Sequence, residues 1–256
     1  RTSSSPAASS PARVAERLRI SGLAPRVLGG GIGLLCDVPS GRDGPIVALR
    51  ADLDALAMDD EKEVPYRSQV PGVAHACGHD VHTTVVLGAG LALARLLAGD
   101  RAPTGTVRLI FQPAEESLPG GALDVIAAGG LDGASWIFGL HCDPKLDVGK
   151  IGTRAGAITS AADLLEIQLH GPGGHTARPQ LTVDLVAVAG RLAADLPVAL
   201  RERSPALSLV FGALHSGDAP NVIPTTARLR GTLRTADRDA WETAPDALTE
   251  TLPDLV

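Results

Sequence analysis

The stretch PGVAHACGHDVH, residues 71–82, concentrates side chains that can bind a metal ion. Within it, one glycine separates Cys77 from His79, so in an extended segment both side chains point to the same side. Thiolate and imidazole are the usual ligands of zinc and also suit other first-row divalent ions. The pair therefore predicts part of a metal site, and the missing ligands must come from elsewhere in the chain.

Three predicted strands run into acidic residues or histidine at their carboxyl ends. Ligands gather at these ends in open α/β sheets, so we expect the residues there to meet the 71–82 loop at one edge. The adjacent Glu115 and Glu116 are expected to diverge, which lets one bind a metal ion while the other acts as a general base. The residues at the strand ends are Asp52 and Asp54 after IVALR, Glu115 and Glu116 after VRLIF, and His141 after WIFGL.

Structural roles are the competing interpretation for several polar residues. Asp52 and Asp54 could be turn residues or could orient a ligand, and His82 has the same two alternatives. A thiol hydrolase is disfavoured, because Cys77 and His79 are too close in sequence for ordinary nucleophile–base geometry. The residues interpreted as structural are His75, His170 and His215, together with Cys36 and Cys142 as small core side chains.

Composition disfavours several classes of function. The chain of 256 residues carries a formal charge of −6 without a basic stripe, which argues against a nucleic-acid partner. Three cysteines are too few for a disulfide framework and indicate a reducing, cytoplasmic location. We expect no membrane span, since no apolar run of about 18 residues stands out in the sequence.

Alternating helix and strand patterns predict an α/β fold. Strands alternate with helices through residues 13–153, which implies a mostly parallel sheet. From about residue 160 the order becomes β-α-β-β-α, a split βαβ unit that lacks its final strand. We therefore predict a disordered stretch over 1–12, a first domain over 13–157 and a second, incomplete α+β domain over 158–256.

The individual elements follow from hydrophobic periodicity and from glycine and proline at their borders. Val14, Ala15 and Leu18 are expected to share one face of a helix within 12–23, and the segment 83–98 is long enough for a buried helix. Further helices are predicted within 120–130, 182–200 and 237–252, and strands within 31–39, 44–56, 104–113, 134–142, 162–171, 206–214 and 227–235.

Six sequence blocks together resemble the peptidase M20-type amidohydrolases, near the branch that holds the hippurate, aminoacylase and indoleacetyl-amino-acid hydrolases. The resemblance runs from about residue 13 to residue 256, and the blocks occur in the order expected for that family. The blocks are ALRADLDAL, HACGHDVHTTVVLGAG, GTVRLIFQPAEE, IFGLHC, GPGGHTARP and NVIPTTARLRGTLRT.

The resemblance implies a two-domain enzyme with a binuclear metal centre. Residues 13–157 would form the N-terminal part of an α/β catalytic domain, and residues 158–256 an inserted ferredoxin-like lid that also forms a homodimer. The two ions would be divalent, and Zn, Mn, Co and Ni all suit the ligands. By their positions in the motifs, the metal ligands are Cys77, His79, Glu116 and His141, with Cys77 standing where relatives carry a bridging aspartate.

The motifs also imply roles for residues that do not bind the metal ions. Glu115 resembles the general base that deprotonates the attacking water. His175 is similar to a lid histidine that stabilises the tetrahedral oxyanion, often in the active site of the partner subunit. Asn221 and Arg234 resemble lid residues that contact the substrate. The side chains expected to orient the ligands are Asp52, Asp54, Asp80 and His82.

The implied activity is hydrolysis of the amide bond of N-acyl amino acids by a metal-activated water. The chain departs from relatives in a minor way at Ala57, which replaces a proline usual after the Asp-Ala-Leu motif. It also ends at Val256 without the final histidine ligand of relatives, as if truncated, and this counts against activity of this form by itself. The alternatives are a truncated, catalytically inactive dimerising fragment, and a dipeptidase or carboxypeptidase of the same superfamily. Coding sequence beyond Val256 would test the first alternative, and assays of dipeptides the second.

Overall fold

The structure is a computed structural model that describes residues 9–99, 102–117 and 119–255. The chain divides into two compact units, Arg1–Gly149 and Lys150–Val256. The first helix begins at Ser9, so residues 9–12 are helical although the sequence predicts disorder there. Pro11 does not prevent this, because proline is tolerated in the first turn of a helix. The rest of the predicted disordered stretch, 1–8, lies outside the described residues.

The first unit is a five-stranded sheet with helices on both faces. Its elements are α1 (Ser9–Ile20), β1 (Arg26–Val27), β2 (Leu34–Pro39), β3 (Ile46–Asp52), α2 (His79–Leu97), β4 (Thr106–Gln112), α3 (Ala122–Ala127) and β5 (Ala134–Gly139). The strands lie in the order β1-β2-β4-β3-β5.

The sheet is mixed, so the prediction of a mostly parallel sheet is wrong for its first two strands. β3 is parallel to β4 and β5, whereas β2 is antiparallel to both β1 and β4. The connection from β2 to β3 is only residues 40–45. A connection that short reverses the chain, because a parallel crossover needs about a dozen residues or more. The three parallel strands are the ones whose carboxyl ends carry the predicted site.

Helices cover both faces of this sheet. Val14, Ala15 and Leu18 of α1 are buried, as their spacing predicts, in a core shared with α2 and with Phe111 of β4. On the opposite face, Val125 of α3 packs on the residues of β2, β3 and β4 that alternate with those of the first core. The two cores hold the strand ends at fixed positions.

Helix α2 is less buried than its apolar sequence predicts. Val86 and Gly90 are buried, but Val85 and Leu96 are 46% and 67% exposed. Among the described helices, α2 alone is long and apolar enough to cross a membrane by length and composition, with a mean hydropathy of 1.3. The sequence argument that no apolar segment of this length stands out does not hold for α2, but the prediction of no membrane span is not overturned, because core helices also have these properties. The buried face of α2 packs on the sheet of the first unit.

The second unit is an antiparallel sheet with two helices. Its elements are β6 (Ala161–His170), β7 (Gly174–His175), α4 (Leu185–Arg203), β8 (Ser208–Ser216), β9 (Val222–Ile223), β10 (Thr226–Thr235) and α5 (Arg238–Thr251). β10 lies between β6 and β8 and is antiparallel to both, while β7 pairs with β9 in a separate ribbon. The long elements follow the predicted order β-α-β-β-α, and the two-residue strands β7 and β9 are additions to it.

Candidate metal centre

A backbone bridge holds the predicted metal-binding loop beside the end of β3. Leu56 and Ala74 exchange two hydrogen bonds, with N···O distances of 2.9 and 3.1 Å. This antiparallel bridge places the residues leading to Cys77 alongside the residues that follow Asp52. Two segments separated by about twenty residues therefore reach the same edge of the sheet.

Gly78 makes the turn between the bridge and α2. Its φ of +82° and ψ of 17° lie in the left-handed region, which glycine adopts without the penalty of a Cβ atom. A Cβ atom on Gly78 would also lie 3.2 Å from Cβ of Cys142, in the loop after β5. The glycine thus allows the loop after β5 to pack directly on the start of α2.

Three of the four predicted ligands form one cluster. Cys77, His79 and Glu116 each offer a ligand atom, and these atoms lie within 4.8 Å of one another. The fourth residue, His141, comes from the loop after β5, and its Nε2 lies 3.5 Å from Sγ of Cys77. Thiolate, imidazole and carboxylate form a zinc-type set of donors, so this cluster could hold a metal ion.

The two ring nitrogens of His79 have different environments. Nδ1 lies 3.0 Å from the carbonyl oxygen of Asp54 and 3.1 Å from its Oδ1. A carbonyl oxygen only accepts hydrogen bonds, so Nδ1 carries the proton and donates it to Asp54. In the neutral ring Nε2 is then unprotonated, which is the state that binds a metal ion.

The surroundings of His79 Nε2 test whether a cation fits. This atom is buried, and it has no hydrogen-bond partner among the described residues. It lies 3.6 Å from Oδ2 of Asp52, 4.0 Å from Oε2 of Glu115 and 3.8 Å from Oε1 of Glu116. A lone pair that faces carboxylates is unfavourable unless positive charge lies between them. The residues present therefore fit a divalent cation.

The two glutamates converge on His79, which corrects the expectation that adjacent carboxylates diverge. Ala114 has a φ of +49°, the one positive φ outside glycine in the described chain. This turn replaces the extended backbone in which neighbouring side chains point to opposite sides. The backbone N–H of Glu116 also donates to Oδ2 of Asp54 at 2.9 Å. Glu115 is the more exposed of the pair, with 41% of its side chain accessible against 30%.

Asp52 is a buried negative charge behind the cluster. Nη1 of Arg50 donates to its Oδ2 at 2.6 Å, and Nε of Arg50 donates to Gln112 at 3.0 Å. Burial by itself raises the pKa of the Asp52 carboxyl, but the hydrogen bond with His82 and the charge of Arg50 outweigh burial and lower the pKa below its usual value. The hydroxyl of Thr83 donates to the Asp52 carbonyl at 2.9 Å and ties β3 to α2.

The thiol of Cys77 is protonated at neutral pH when no cation is bound. Burial, the hydrogen bond with Glu116 and the charges of nearby carboxylates raise its pKa to about 11. A thiolate at this position requires compensating positive charge, which a metal ion supplies. The acidic surroundings of Cys77 therefore also fit a cation site rather than a free nucleophile.

His82 and Asp80, the other side chains expected to orient ligands, lie in different places. His82 is fully buried, with Nδ1 2.7 Å from Oδ1 of Asp52 and Nε2 2.8 Å from the backbone nitrogen of Cys142. Asp80 is exposed in the first turn of α2. A negative charge there is favourable near a helix N-terminus, which is sufficient reason for an aspartate.

Two of the predicted lid residues lie together in the second unit. His175 pairs with Val222 between β7 and β9, and the backbone that follows His175 donates to the carbonyl oxygen of Asn221 at 3.3 Å. Nδ1 of His175 accepts from the N–H of Ala177 at 3.1 Å. The proton of the neutral ring is therefore on Nε2, which leaves an exposed donor.

Arg234 lies at the other end of this sheet. The first residue of β10, Thr226, pairs with His170 close to the β7–β9 ribbon, and Arg234 is eight positions farther along the strand. At a rise of about 3.4 Å per residue, this separation is about 27 Å. The structure therefore does not bring Arg234 together with His175 and Asn221 within one copy of the unit.

Several supporting groups were not predicted from the sequence. Arg50 was visible only as a charged residue in an apolar strand, two positions before Asp52 and hence on the same face. Gln112 and Thr83 carry no distinguishing pattern. The backbone N–H of Cys142 has no sequence signal at all.

The chain belongs to the peptidase family M20/M25/M40. The family model matches residues 48–251, which include most of β3, the candidate metal cluster and most of the second unit. This match agrees with the resemblance seen in the sequence blocks.

The curated relatives are longer than this chain. A protein of Rhodococcus jostii (strain RHA1) is 47% identical over 238 residues, but the match covers 92% of this chain and only 29% of that protein. That protein is named a glutamate–cysteine ligase, but most of its length has no counterpart in this chain, so the ligase name does not by itself describe the matched part. The N-acetylcysteine deacetylase of Bacillus subtilis (strain 168) is 38% identical over 217 residues, 84% of this chain and 56% of that enzyme.

A solved structure shares the fold of both units. The crystal structure of a dinuclear metal binding peptidase of the M20 family from Bacillus subtilis aligns with a TM-score of 0.77 at 32% identity. The alignment covers 94% of this chain and 62% of that chain. The chain thus spans between 29% and 62% of the length of these three proteins.

Proposed function

We propose that this chain belongs to an enzyme that hydrolyses the amide bond of N-acyl amino acids with two bound divalent cations. The observation that carries the proposal is the buried Nε2 of His79, which has an available lone pair and no hydrogen-bond partner within the described structure, beside Cys77 and two glutamates. Membership of the M20 family and the similarity to an N-acetylcysteine deacetylase support the choice of an amide substrate.

Each residue of the cluster has a role in this proposal. Cys77, His79, Glu116 and His141 would hold the cations, with Zn, Mn, Co and Ni as candidates. Bound divalent cations polarise a carbonyl oxygen and lower the pKa of water towards about 7. Glu115, which is the more exposed glutamate, takes the proton of the attacking water and later gives it to the leaving amine.

The second unit contributes to the proposal through residues that the metal cluster does not contain. His175 would donate from its exposed Nε2 to the oxyanion of the tetrahedral intermediate, and Asn221 beside it would contact the substrate. Arg234 lies too far from His175 and Asn221 in one chain to contact the same group of the substrate. It would contact that substrate from a second copy of the chain, or it would contact a different group of the substrate. We further propose a homodimer formed through this unit, and a cytoplasmic location.

The first experiment measures metal binding and amide hydrolysis on the same preparation. The purified chain is stripped with a chelator, titrated with Zn, Mn, Co or Ni, and analysed for metal per chain. It is then assayed with N-acetyl-L-cysteine, other N-acetyl amino acids and dipeptides. A mock preparation from cells that do not express the chain, purified in parallel, reports hydrolysis from contaminating enzymes.

We expect stoichiometric binding of cations and release of the free amino acid from N-acyl substrates. Failure to bind any of the four ions would refute the metal centre. Binding followed by hydrolysis of dipeptides alone would replace the substrate class with that of a peptidase. Binding without hydrolysis of either class would favour the catalytically inactive fragment, which the family match does not favour.

A further inference from the structure

We propose that His82 is a positioning residue that fixes the metal-ligating ring of His141 through the backbone of Cys142. The inference rests on the proposed metal centre, because it concerns one of its four ligands. It goes beyond a general orienting role, since it names the atoms through which His82 acts and the ring that they hold.

The hydrogen bonds of His82 define its protonation state. The backbone nitrogen of Cys142 can only donate, so Nε2 of His82 is the acceptor in the 2.8 Å contact and carries no proton. The proton is therefore on Nδ1, which donates to Oδ1 of Asp52 at 2.7 Å. His82 is a neutral ring whose two nitrogens are both engaged.

The backbone of Cys142 connects His82 to His141 by two hydrogen bonds. Its N–H is held by His82, and its carbonyl oxygen accepts from Nδ1 of His141 at 2.8 Å. The second contact leaves Nε2 of His141 unprotonated and 3.5 Å from Sγ of Cys77. The rings of His82 and His141 also lie against each other, with centroids 4.9 Å apart. Both the direction and the protonation state of the His141 ring thus depend on one backbone segment.

A direct metal-binding role for His82 is the competing interpretation. Asp52, His79 and His82 do offer ligand atoms within 4.8 Å of one another. However, Nδ1 of His82 is committed to Asp52, and Nε2 could bind a cation only by giving up the Cys142 N–H. That N–H is part-buried, and losing its partner is costly because the donor is partly shielded from water.

The burial of His82 and Asp52 strengthens the hydrogen bonds that hold the loop of His141. His82 is 0% exposed and Asp52 is 1% exposed, whereas His141 lies on an exposed loop. Hydrogen bonds that end on a buried charged carboxylate are strong, and successive bonds polarise one another. The hydrogen bonds from Cys142 to His82 and from His82 to Asp52 therefore anchor the loop after β5 to the end of a core strand.

Nitrogen NMR of the unmodified chain tests the protonation state without any substitution. Long-range ¹H–¹⁵N correlation on protein labelled at histidine, with a His82→Gln sample for assignment, reports which nitrogen of His82 is protonated. We expect a neutral ring with the proton on Nδ1, both without metal and after addition of ¹¹³Cd. A proton on Nε2, or coupling between ¹¹³Cd and a nitrogen of His82, would overturn the proposal.

Two substitutions separate the halves of the His82 contact. In His82→Gln, the amide oxygen can take the place of Nε2 and accept from Cys142. In His82→Asn, the amide nitrogen can take the place of Nδ1 and donate to Asp52, but nothing reaches Cys142. If His82 acts through Cys142, we expect His82→Asn to lower Co(II) affinity about 10–100-fold and to change the visible spectrum of bound Co(II), while His82→Gln keeps most of both.

Equal effects of the two substitutions on Co(II) affinity and spectrum would overturn the proposal, whether both are large or both are small. The matched controls are His170→Asn and His170→Gln, at an exposed histidine at the end of β6, and thermal unfolding establishes that each variant is folded. If the parent chain binds no Co(II), the proposed function fails, yet the NMR experiment on metal-free protein still decides the state of His82. The two failures are therefore distinguishable.

Discussion

Asp54 accepts the Nδ1 proton of His79 twice, through its backbone carbonyl oxygen at 3.0 Å and through Oδ1 at 3.1 Å. Its other carboxylate oxygen accepts the N–H of Glu116 at 2.9 Å. One aspartate therefore sets the orientation of one proposed ligand and the backbone position of another. This double contact explains why a residue that does not join the cluster matters to it.

Replacing Asp54 with alanine is expected to lower zinc affinity about 10–100-fold, because partners of ligating histidines typically contribute that much. Asp54→Asn keeps one acceptor oxygen and should lose less. Competition with a coloured chelator measures both affinities. Equal affinity of the Ala variant and the parent would show that the backbone carbonyl alone orients His79.

Glu115→Gln is expected to leave the metal content unchanged and to lower kcat about 10²–10⁴-fold, with little change in KM, because general acid–base catalysis contributes that much. The measurement is steady-state kinetics on whichever N-acyl amino acid the parent hydrolyses, together with elemental analysis. The control is Glu63→Gln, at an exposed glutamate in the loop between β3 and α2. Full activity in Glu115→Gln would assign the general base elsewhere.

Thiol labelling is expected to distinguish the cysteines and to respond to metal. Cys36 is buried, and burial with the charge of Asp37 raises its pKa to about 11, so it should not react in the folded protein. Cys77 is partly accessible and also has a pKa of about 11. Well below that value its thiolate fraction, and hence its labelling rate, should rise about tenfold for each unit of pH.

Zinc should suppress the labelling of Cys77, because a ligating thiolate is no longer free to react. Peptide mapping after alkylation assigns each modified cysteine, and Cys142, which is not a proposed ligand, is the internal control. Equal labelling of Cys77 with and without bound zinc would remove it from the ligand set.

Gly78→Ala is expected to lower the free energy of unfolding by about 1–2 kcal/mol, the cost of a left-handed conformation for a residue with a Cβ atom. The matched control is Gly88→Ala in α2, where no atom lies within 4 Å of the added Cβ. Gly88→Ala should raise stability by about 0.5–1 kcal/mol, because alanine favours a helix interior. The two substitutions should therefore change the free energy of unfolding in opposite directions.

Tryptophan fluorescence during denaturant unfolding measures both glycine variants. In a Trp241→Phe background, Trp136 of β5 is the reporter, so the signal comes from the first unit. Destabilisation by Gly88→Ala, or no effect of Gly78→Ala, would contradict the assignment of a left-handed conformation to Gly78 and a helical one to Gly88.

His175→Ala is expected to lower kcat about 10²–10³-fold without changing metal content, as loss of one oxyanion donor typically does. If His175 acts in the active site of a partner subunit, mixing His175→Ala with Glu115→Gln should restore activity after subunit exchange, because one mixed site contains both groups. Two inactive homodimers that remain inactive after verified exchange would place His175 in the active site of its own chain.

The sequence predicted most long elements and most of the proposed site. Periodicity located the buried face of α1 at Val14, Ala15 and Leu18, and the long helices and strands of both units. The two-residue strands β1, β7 and β9 were missed, because so short a segment contains no periodic pattern. Polar residues at three strand ends were enough to predict that Cys77, His79, Glu116 and His141 approach one another.

The tertiary structure decided the rest, because it depends on partners that are distant in sequence. The order of the strands followed from the insertion of β4 between β2 and β3, which no residue within β2 indicates, while the short connection of residues 40–45 set the direction of β2. The convergence of Glu115 and Glu116 followed from the turn at Ala114. The state of His82 followed from a backbone N–H sixty positions away, and every residue except proline has such a group. Side-chain types thus specified which chemistry was available, while the packing of strands and loops determined which atoms carry protons and which can bind a cation.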